Sequence, residues 1–131
     1  MADADELYME GLDLFADEDY RGAVEAFRKV TEIDPAYIDA WHGIARASFE
    51  ARETDPALLD DAIYAATKAV ELDPDDVTAY STLSQVYVFK GDKDTAEHWG
   101  GKARVAGWKQ QLTRDKKKAS GVLGEDPDKQ L

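Results

Sequence analysis

A stretch of twelve residues recurs in altered form in this chain of 131 residues. Residues 30–41 read VTEIDPAYIDAW and residues 69–80 read AVELDPDDVTAY, so the two copies lie 39 residues apart. In each copy an aliphatic residue precedes Asp-Pro, and this order predicts the end of a helix. The residue before a proline is disfavoured in the helical region, and proline cannot continue a helix that precedes it. A repeated helix stop predicts a chain built from repeated helical units.

Apolar residues precede both stops with the 3.6-residue period of an amphipathic helix. An aromatic residue, Trp41 or Tyr80, then follows each proline by six residues and opens another amphipathic run. The sequence therefore predicts an all-α protein made of consecutive helix pairs. The apolar positions before the two stops are Ala23, Val24, Phe27, Val30 and Ile33, and Ala62, Ile63, Ala66, Ala69, Val70 and Leu72.

The order of aromatic, aliphatic, small and aromatic residues, followed by Ala-x₃-Phe and then proline, resembles the tetratricopeptide repeat, whose period is 34 residues. The resemblance implies a right-handed superhelical solenoid of three helix-turn-helix repeats over residues 4–107, divided as 4–37, 38–76 and 77–107. The matching positions are Gly11, Tyr20, Ala23, Phe27 and Pro35; Trp41, Ile44, Ala45, Ala62, Ala69 and Pro74; and Tyr80, Leu83, Tyr87, Gly91, Ala96 and Ala103.

Two repeats depart from the pattern. The second is five residues too long, and Asp55 with Pro56 predicts a helix cap and a first-turn proline, so we expect its second helix to begin near Pro56. It also has Ala66 where the family places phenylalanine. The third has Gly100 and Gly101 where an aromatic and a polar residue are usual, at a cost of about 2 kcal/mol in a helix interior. Those glycines predict either clearance for the neighbouring Trp99 or close packing of another element.

The C-terminal part has a different composition. Trp108 replaces the closing proline of the third repeat, and residues 108–119 are predicted to form a basic capping helix. We expect Trp108 and Leu112 to cover the apolar stripe of Trp99, Ala103 and Ala106, because the end of a solenoid needs a polar-faced cap. Residues 120–131 have no periodicity and are predicted to be a disordered tail.

Charge and composition exclude several classes of function. The net charge is −12, with 24 acids and 8 bases in residues 1–100 and 7 bases and one acid in residues 101–124. The acidic body is expected to repel nucleic acid and anionic lipid. The basic segment is explained by the dipole at a helix end, although it could also contact an anion. We expect a cytoplasmic protein with no membrane span, because the chain has neither a long apolar run nor a basic N-terminal leader.

Motifs of catalysis and metal binding are missing from the sequence. It contains no phosphate-binding glycine loop, no nucleophile elbow and no His-Glu-x-x-His, and it has no cysteine. Asp94 and His98 lie one helical turn apart, but two ligands make a poor metal site. We therefore expect neither an enzyme nor a bound metal or cofactor.

The resemblance implies that function resides on a concave groove formed by the first helix of each pair. Such a groove holds a peptide or helix of a partner protein, so an adaptor, scaffold or assembly factor is expected, with Arg46 as the groove's cation. Phe15, Phe49 and Phe89 could instead pack between helices. The predicted groove residues are Tyr8, Leu12, Asp39, His42, Arg46, Phe49, Thr78, Ser81, Gln85 and Phe89, with Asp5 and Phe15 beside them.

Alternative roles remain open at this stage. A structural subunit could dock into a larger complex through its convex or basic C-terminal face. The chain also resembles the small acidic tetratricopeptide chaperones of type III secretion, although these usually carry a longer N-terminal helical extension. The carboxylate clamp that binds heat-shock chaperones is not expected, because its lysine, asparagine and arginine positions hold Tyr8, Leu12, Gly43, Thr78 and Thr82.

Overall fold

The computed structural model of the protein describes the backbone of residues 2–124 and the side chains up to residue 120. These residues form six α-helices and one short 3₁₀ helix, η1, and contain no strand. Each helix packs against the next, and three antiparallel pairs, α1–α2, α3–α4 and α5–α6, form the first, second and third repeats. The predicted all-helical solenoid is confirmed. The helices are α1 Ala4–Ala16, α2 Tyr20–Ile33, α3 Ile38–Glu50, η1 Ala51–Glu53, α4 Leu58–Leu72, α5 Val77–Phe89 and α6 Lys93–Gly124.

Both Asp-Pro stops end a helix in the same way. Asp34 and Asp73 adopt extended backbone angles, with φ of −137° and −142°. Each carboxylate accepts a hydrogen bond of 3.0 Å from the backbone N–H two residues further along the chain. The aliphatic residues before them, Ile33 and Leu72, are 55% and 43% exposed. The buried stripes of α2 and α4 therefore end earlier than the sequence predicts.

The aromatic residue that follows each stop holds the turn in place. The Trp41 indole donates a hydrogen bond of 2.8 Å to the carbonyl of Pro35. In the equivalent position, the Tyr80 hydroxyl donates one of 2.6 Å to the carbonyl of Pro74. A proline carbonyl at a helix end has no partner within the helix. These two side chains donate to the carbonyls and so tie the start of the next helix to the turn.

The core of the first two repeats is organised around Phe27, which is completely buried. Its ring lies between the backbones of α1 and α3, at Gly11 and Gly43. A Cβ atom at Gly11 would lie 2.5 Å from the ring, and one at Gly43 would lie 2.7 Å from it. No other residue type fits these two positions without moving the ring, because protein interiors are close-packed.

The third repeat is packed differently. Gly100 stands where the first repeat has Phe27, and a Cβ atom there would lie 3.3 Å from Ser84 Oγ. The Ser84 hydroxyl donates a hydrogen bond of 2.8 Å to the Ala96 carbonyl on α6. Gly100 therefore permits a close approach of α5, one of the two explanations that the sequence suggested. The neighbouring Gly101 faces only the Arg104 side chain.

The five-residue insertion of the second repeat forms η1 and a turn before α4. Helix α4 begins at Leu58, two residues later than predicted. Asp55 still caps this segment, because its carboxylate accepts a hydrogen bond of 3.2 Å from the Ala57 N–H. The same carboxylate pairs with Arg21 of α2 at 2.8 Å. The insertion is thus fastened to the first repeat.

The expected separate capping helix is instead a continuation of α6, which is helical from Lys93 to Gly124. Trp108 and Leu112 are 64% and 66% exposed, so the prediction that they cover the stripe is wrong. The reason is helical phase. Ala106 is buried and Gln110 contacts Asp75, whereas Trp108 lies two residues, or about 200°, from both. Of the predicted tail, residues 120–124 belong to α6, and residues 125–131 lie outside the described part.

We expect Gly43→Ala to destabilise the protein, because the added methyl group would displace the buried Phe27 ring. Overpacking costs about 1–3 kcal/mol, which exceeds the helical gain of about 1 kcal/mol over glycine. Gly107→Ala is the matched control. A Cβ atom there meets nothing within 4 Å, so only the gain in helix propensity should appear. Urea unfolding measures both, and a stabilised Gly43→Ala would contradict the clamped position of the ring.

Candidate partner-binding groove

The first helices of the three repeats, α1, α3 and α5, lie side by side, since α3 contacts both of the others. Equivalent positions on them are separated by 34 and then 39 residues and form rows across the three helices. The first and third rows are exposed, and the second is half-buried. The rows therefore make one continuous surface. They are Asp5, Asp39 and Thr78; Tyr8, His42 and Ser81; and Leu12, Arg46 and Gln85.

The fourth row departs from the prediction. Phe15 is half-buried and Phe49 is only 9% exposed. Phe49 packs edge-on against Phe89, with ring centroids 5.3 Å apart, so it belongs to the core rather than to the groove surface. The residue equivalent to Phe49 on α5 is Val88, 60% exposed, and not Phe89, 56% exposed. The 39-residue spacing between the second and third repeats, counted from Phe49, leads to Val88.

A second cation lies beside this row. The Arg52 guanidinium lies 4.2 Å from the centroid of the Phe49 ring and 4.1 Å from that of Phe89. Its Nη1 donates a hydrogen bond of 2.9 Å to the Phe49 carbonyl, and its Nε is buried without a partner. A cation over an aromatic face is attracted by the ring quadrupole. Sequence reasoning missed Arg52 because it lies beside the insertion. Its position three residues after Phe49 was a signal, because residues three apart on a helix lie next to each other.

Arg46 is the exposed cation of the third row. Its side chain is 66% exposed, and its Nε lies 3.8 Å from the Glu50 carboxylate, which is too far for a hydrogen bond. The pKa of the neighbouring Tyr20 is raised, first by burial and then by the charges of Glu18 and Glu50, while Arg46 opposes the shift. Tyr20 therefore also lies near this end of the groove, and the sequence prediction did not include it.

At the opposite end of the groove two tyrosines form a cluster. The Tyr37 hydroxyl donates a hydrogen bond of 2.7 Å to the Asp5 carboxylate, and this bond, more than burial, raises the pKa of Tyr37 to about 12. The Tyr8 ring lies 5.3 Å from that of Tyr37 and 5.6 Å from that of Phe27. Burial and the charge of Asp39 raise the pKa of Tyr8. Tyr8 thus anchors the groove surface to the core.

His42 connects the second and third repeats. Its Nε2 lies 2.6 Å from Oδ2 of Asp76, whose side chain is 9% exposed. The other oxygen of Asp76 caps α5 by accepting a hydrogen bond of 3.1 Å from the Ala79 N–H. His42 was predicted to line the groove. The structure instead commits one of its ring nitrogens to a contact inside the protein.

The described residues contain no group of three or more His, Cys, Asp or Glu side chains arranged to hold a metal ion. Within the same part of the chain, no helix is both long and apolar enough to cross a membrane.

Comparisons with known proteins agree with this architecture. A sequence model described as a tetratricopeptide repeat matches residues 14–58. A crystal structure of MamA superposes with a TM-score of 0.74 at 23% identity, covering 84% of this chain and 61% of that one. The crystal structure of YrrB superposes with a TM-score of 0.72 at 21% identity, covering 90% of this chain and 58% of that one. A chain of the CopN–Scc3 complex superposes with a TM-score of 0.72 at 18% identity, covering 79% of this chain and 58% of that one.

The chain thus spans about three fifths of the length of the solved structures that it resembles. No curated protein matches its sequence. The fold is an α-solenoid of helix pairs. The chain resembles a tetratricopeptide repeat over residues 14–58, about a third of its length, and the structural likeness shows the solenoid fold.

We expect Tyr37 to titrate at about pH 12 in the folded protein, above the ordinary value of about 10. The neutral phenol is stabilised by its bond to Asp5, so this contribution to stability is complete below about pH 10 and is lost as the pH rises towards 12. Tyrosinate absorbance during an alkaline titration measures the shift. Tyr37→Phe should remove the highest-pKa step, and an unchanged titration curve would contradict the Asp5 contact.

Proposed function

We propose that this protein is a non-enzymatic adaptor or assembly factor that binds a peptide or helix of a partner protein in the groove of α1, α3 and α5. The observation that carries the proposal is the third row. Its three members, Leu12, Arg46 and Gln85, lie on successive helices and are all exposed. Together they offer an apolar group, a cation and an amide along one line of the surface.

The charges in the groove suggest the chemistry of the bound segment. Arg46 offers hydrogen-bond donors in a planar fork that suits a carboxylate, and no strong ion pair in the described structure occupies them. Asp5 and Asp39 form an acidic row at the other side of the groove. A segment with a carboxylate near Arg46, and with polar or basic groups towards the acidic row, fits this arrangement.

Apolar contacts would supply much of the affinity. Leu12, Val88 and Phe89 are 41%, 60% and 56% exposed. Burying such side chains in an interface removes apolar area from water and stabilises the complex. The structure of YrrB is described as that of a tetratricopeptide-repeat protein with an unusual peptide-binding site, which supports a peptide as the class of ligand for this fold. A cytoplasmic location stays a prediction.

We expect Arg46→Glu to weaken partner binding by more than about 1 kcal/mol, because reversing the charge removes the pair with the partner's carboxylate and adds repulsion. The partner is first captured with tagged protein from its own cell extract and identified by mass spectrometry. Isothermal titration calorimetry with the purified partner then measures the affinity of each variant.

Lys29→Glu is the matched control for this experiment. Lys29 is exposed on α2, outside the groove, and the substitution changes the net charge by the same amount. The two variants therefore share any effect of total charge, and only Arg46→Glu alters the groove. An equal affinity for both would move the interface away from Arg46.

A second role, as a structural subunit of a larger complex, is favoured by one observation. Trp108 and Leu112 lie one turn apart on the basic part of α6 and are both largely exposed. Such a pair on a protein surface is typical of an interaction site. Binding that survives Arg46→Glu but is lost in Trp108→Glu would favour docking through α6 over binding in the groove.

A further inference from the structure

Helix α6 continues past the third repeat and carries an apolar line on the side away from its buried residues. Among the described side chains Ala106 is the last buried residue of α6, whereas Val105, Trp108 and Leu112 are 47%, 64% and 66% exposed. Residues three or four apart lie on one side of a helix, and small residues extend the line in both directions. The members of what we call the outer stripe are Gly101, Val105, Trp108, Leu112 and Ala119.

The spacing of the outer stripe matches the seam of a coiled coil. Its members follow one another at intervals of four, three, four and seven residues, the period of the a and d positions that face a second helix in the heptad abcdefg. Gly101 and Trp108 fall at d, and the other members fall at a. The remaining d position of this span holds Asp115, whose carboxylate accepts a hydrogen bond of 3.0 Å from Gln111 Nε2.

The flanking positions of the outer stripe are basic. In a coiled coil the e and g positions lie on the two sides of the seam and face the flanks of the partner helix. In α6 five of these six side chains are cationic, one is an amide and none is acidic. They are Lys102, Lys109 and Lys116 at e, and Arg104, Gln111 and Lys118 at g.

The carboxylates nearest the stripe neutralise only part of this charge. Asp75, in the turn before α5, lies 3.4 Å from Lys109. Asp94 and Glu97 occupy d and g of the preceding heptad, so the basic pattern begins at Gly101. With other described residues, the remaining four flanking cations form no ion pair. The stripe therefore presents an apolar line between two rows of positive charge.

At its start the stripe borders an open cleft. Gly101 and Val105 line this space of about 590 Å³, and Pro74 and Tyr80 form part of its other wall. A Cβ atom at Gly101 would meet only the Arg104 guanidinium, 3.7 Å away, so the packing of the chain itself does not require a glycine there. A second helix on the stripe has room to approach α6 closely at this point.

The charge pattern opposes a second copy of α6 as the occupant. In a parallel pair each e position faces a g position, and in an antiparallel pair e faces e and g faces g. In both arrangements the basic flanks of two copies would repel one another. The flanks are complementary to a helix that carries carboxylates at its own e and g positions.

A lipid surface suits the stripe less well than a helix does. Basic amphipathic helices also bind anionic membranes, where a broad apolar face sinks between the headgroups. Here the apolar line is one residue wide, Asp115 interrupts it, and charged flanks adjoin it directly. A membrane would also meet residues 1–100, with 24 acids and 8 bases, whereas a single helix meets the stripe alone.

We propose that the outer stripe binds an acidic amphipathic helix of a partner protein, side by side with α6 as in a two-stranded coiled coil. Apolar side chains of that helix pack on Val105, Trp108 and Leu112, and its flanking carboxylates pair with the e and g cations. Asp115 in the seam selects a polar or basic residue opposite it and so fixes the register. The inference rests on the second role proposed above, docking through α6, and is independent of the groove.

Synthetic helices test the proposal with the full chain. The acidic peptide has about four heptads with Leu at a and d and Glu at e and g, and the basic peptide has Lys in place of each Glu. Isothermal titration calorimetry should show one acidic peptide bound per chain and no binding of the basic peptide. The affinity should be lower at about 500 mM than at about 50 mM NaCl, since salt screens the flanking charges.

Two neighbouring lysines provide a matched pair of variants. Lys116→Glu reverses a charge at e, beside the seam, and should weaken binding of the acidic peptide about tenfold. Lys117→Glu makes the same change at f, away from the seam, and should leave the affinity within about threefold of the natural value. Leu112→Gln removes an apolar seam residue and should weaken binding by at least about tenfold. Circular dichroism verifies that all variants remain helical.

The peptides and variants also define the results that overturn the proposal. One such result is no saturable binding of the acidic peptide, and another is equal binding of the acidic and basic peptides. Equal losses in Lys116→Glu and Lys117→Glu overturn it as well, because they indicate attraction to the total charge. A chain that binds vesicles of phosphatidylcholine and phosphatidylserine but not the acidic peptide assigns the stripe to a membrane instead.

The variants of the groove and of Trp108 separate this inference from the proposed function. Peptide binding that is lost in Arg46→Glu and kept in Lys116→Glu places the peptide in the groove and overturns the inference. If the acidic peptide does not bind while the captured partner is lost in Trp108→Glu, docking through α6 stands and the acidic helix is excluded as its partner.

Discussion

The insertion of the Phe27 ring between Gly11 and Gly43 is the contact on which the rest of the structure depends. It brings the backbones of α1 and α3 to the two sides of one ring and so sets the distance between the first two groove helices. Tyr8 packs on the same ring from the groove side. Because close-packed interiors transmit displacement, a shift of this ring would move the groove surface as well.

The acidic composition of the chain has a structural explanation in part. Several carboxylates cap helices, where they satisfy backbone N–H groups that have no partner within the helix. Asp3, Asp19 and Asp76 do so at α1, α2 and α5. Asp92 accepts hydrogen bonds from both the side chain and the backbone of Thr95, and these bonds lower its pKa. Other carboxylates, such as those of Glu6, Glu10 and Asp13, lie exposed on α1.

The sequence by itself determined the helix pairs of the three repeats and the first three rows of the predicted groove. The Asp-Pro stops, the 3.6-residue period and the 39-residue repeat are local signals that do not depend on neighbours. Leu12, Arg46 and Gln85 were recognised in this way, and the structure finds them exposed. The role of these three residues in binding is a proposal.

Only the tertiary structure decided which of these side chains remain accessible. Phe49 is buried by Phe89, and His42 is committed to Asp76, because each meets a residue from another helix. Trp108 is exposed because α6 continues without a break and carries it round to the outer face. The period of a helix tells which residues share a face. What that face meets depends on distances between helices, and those are set by the packing of rings such as Phe27 against glycines far away in the sequence.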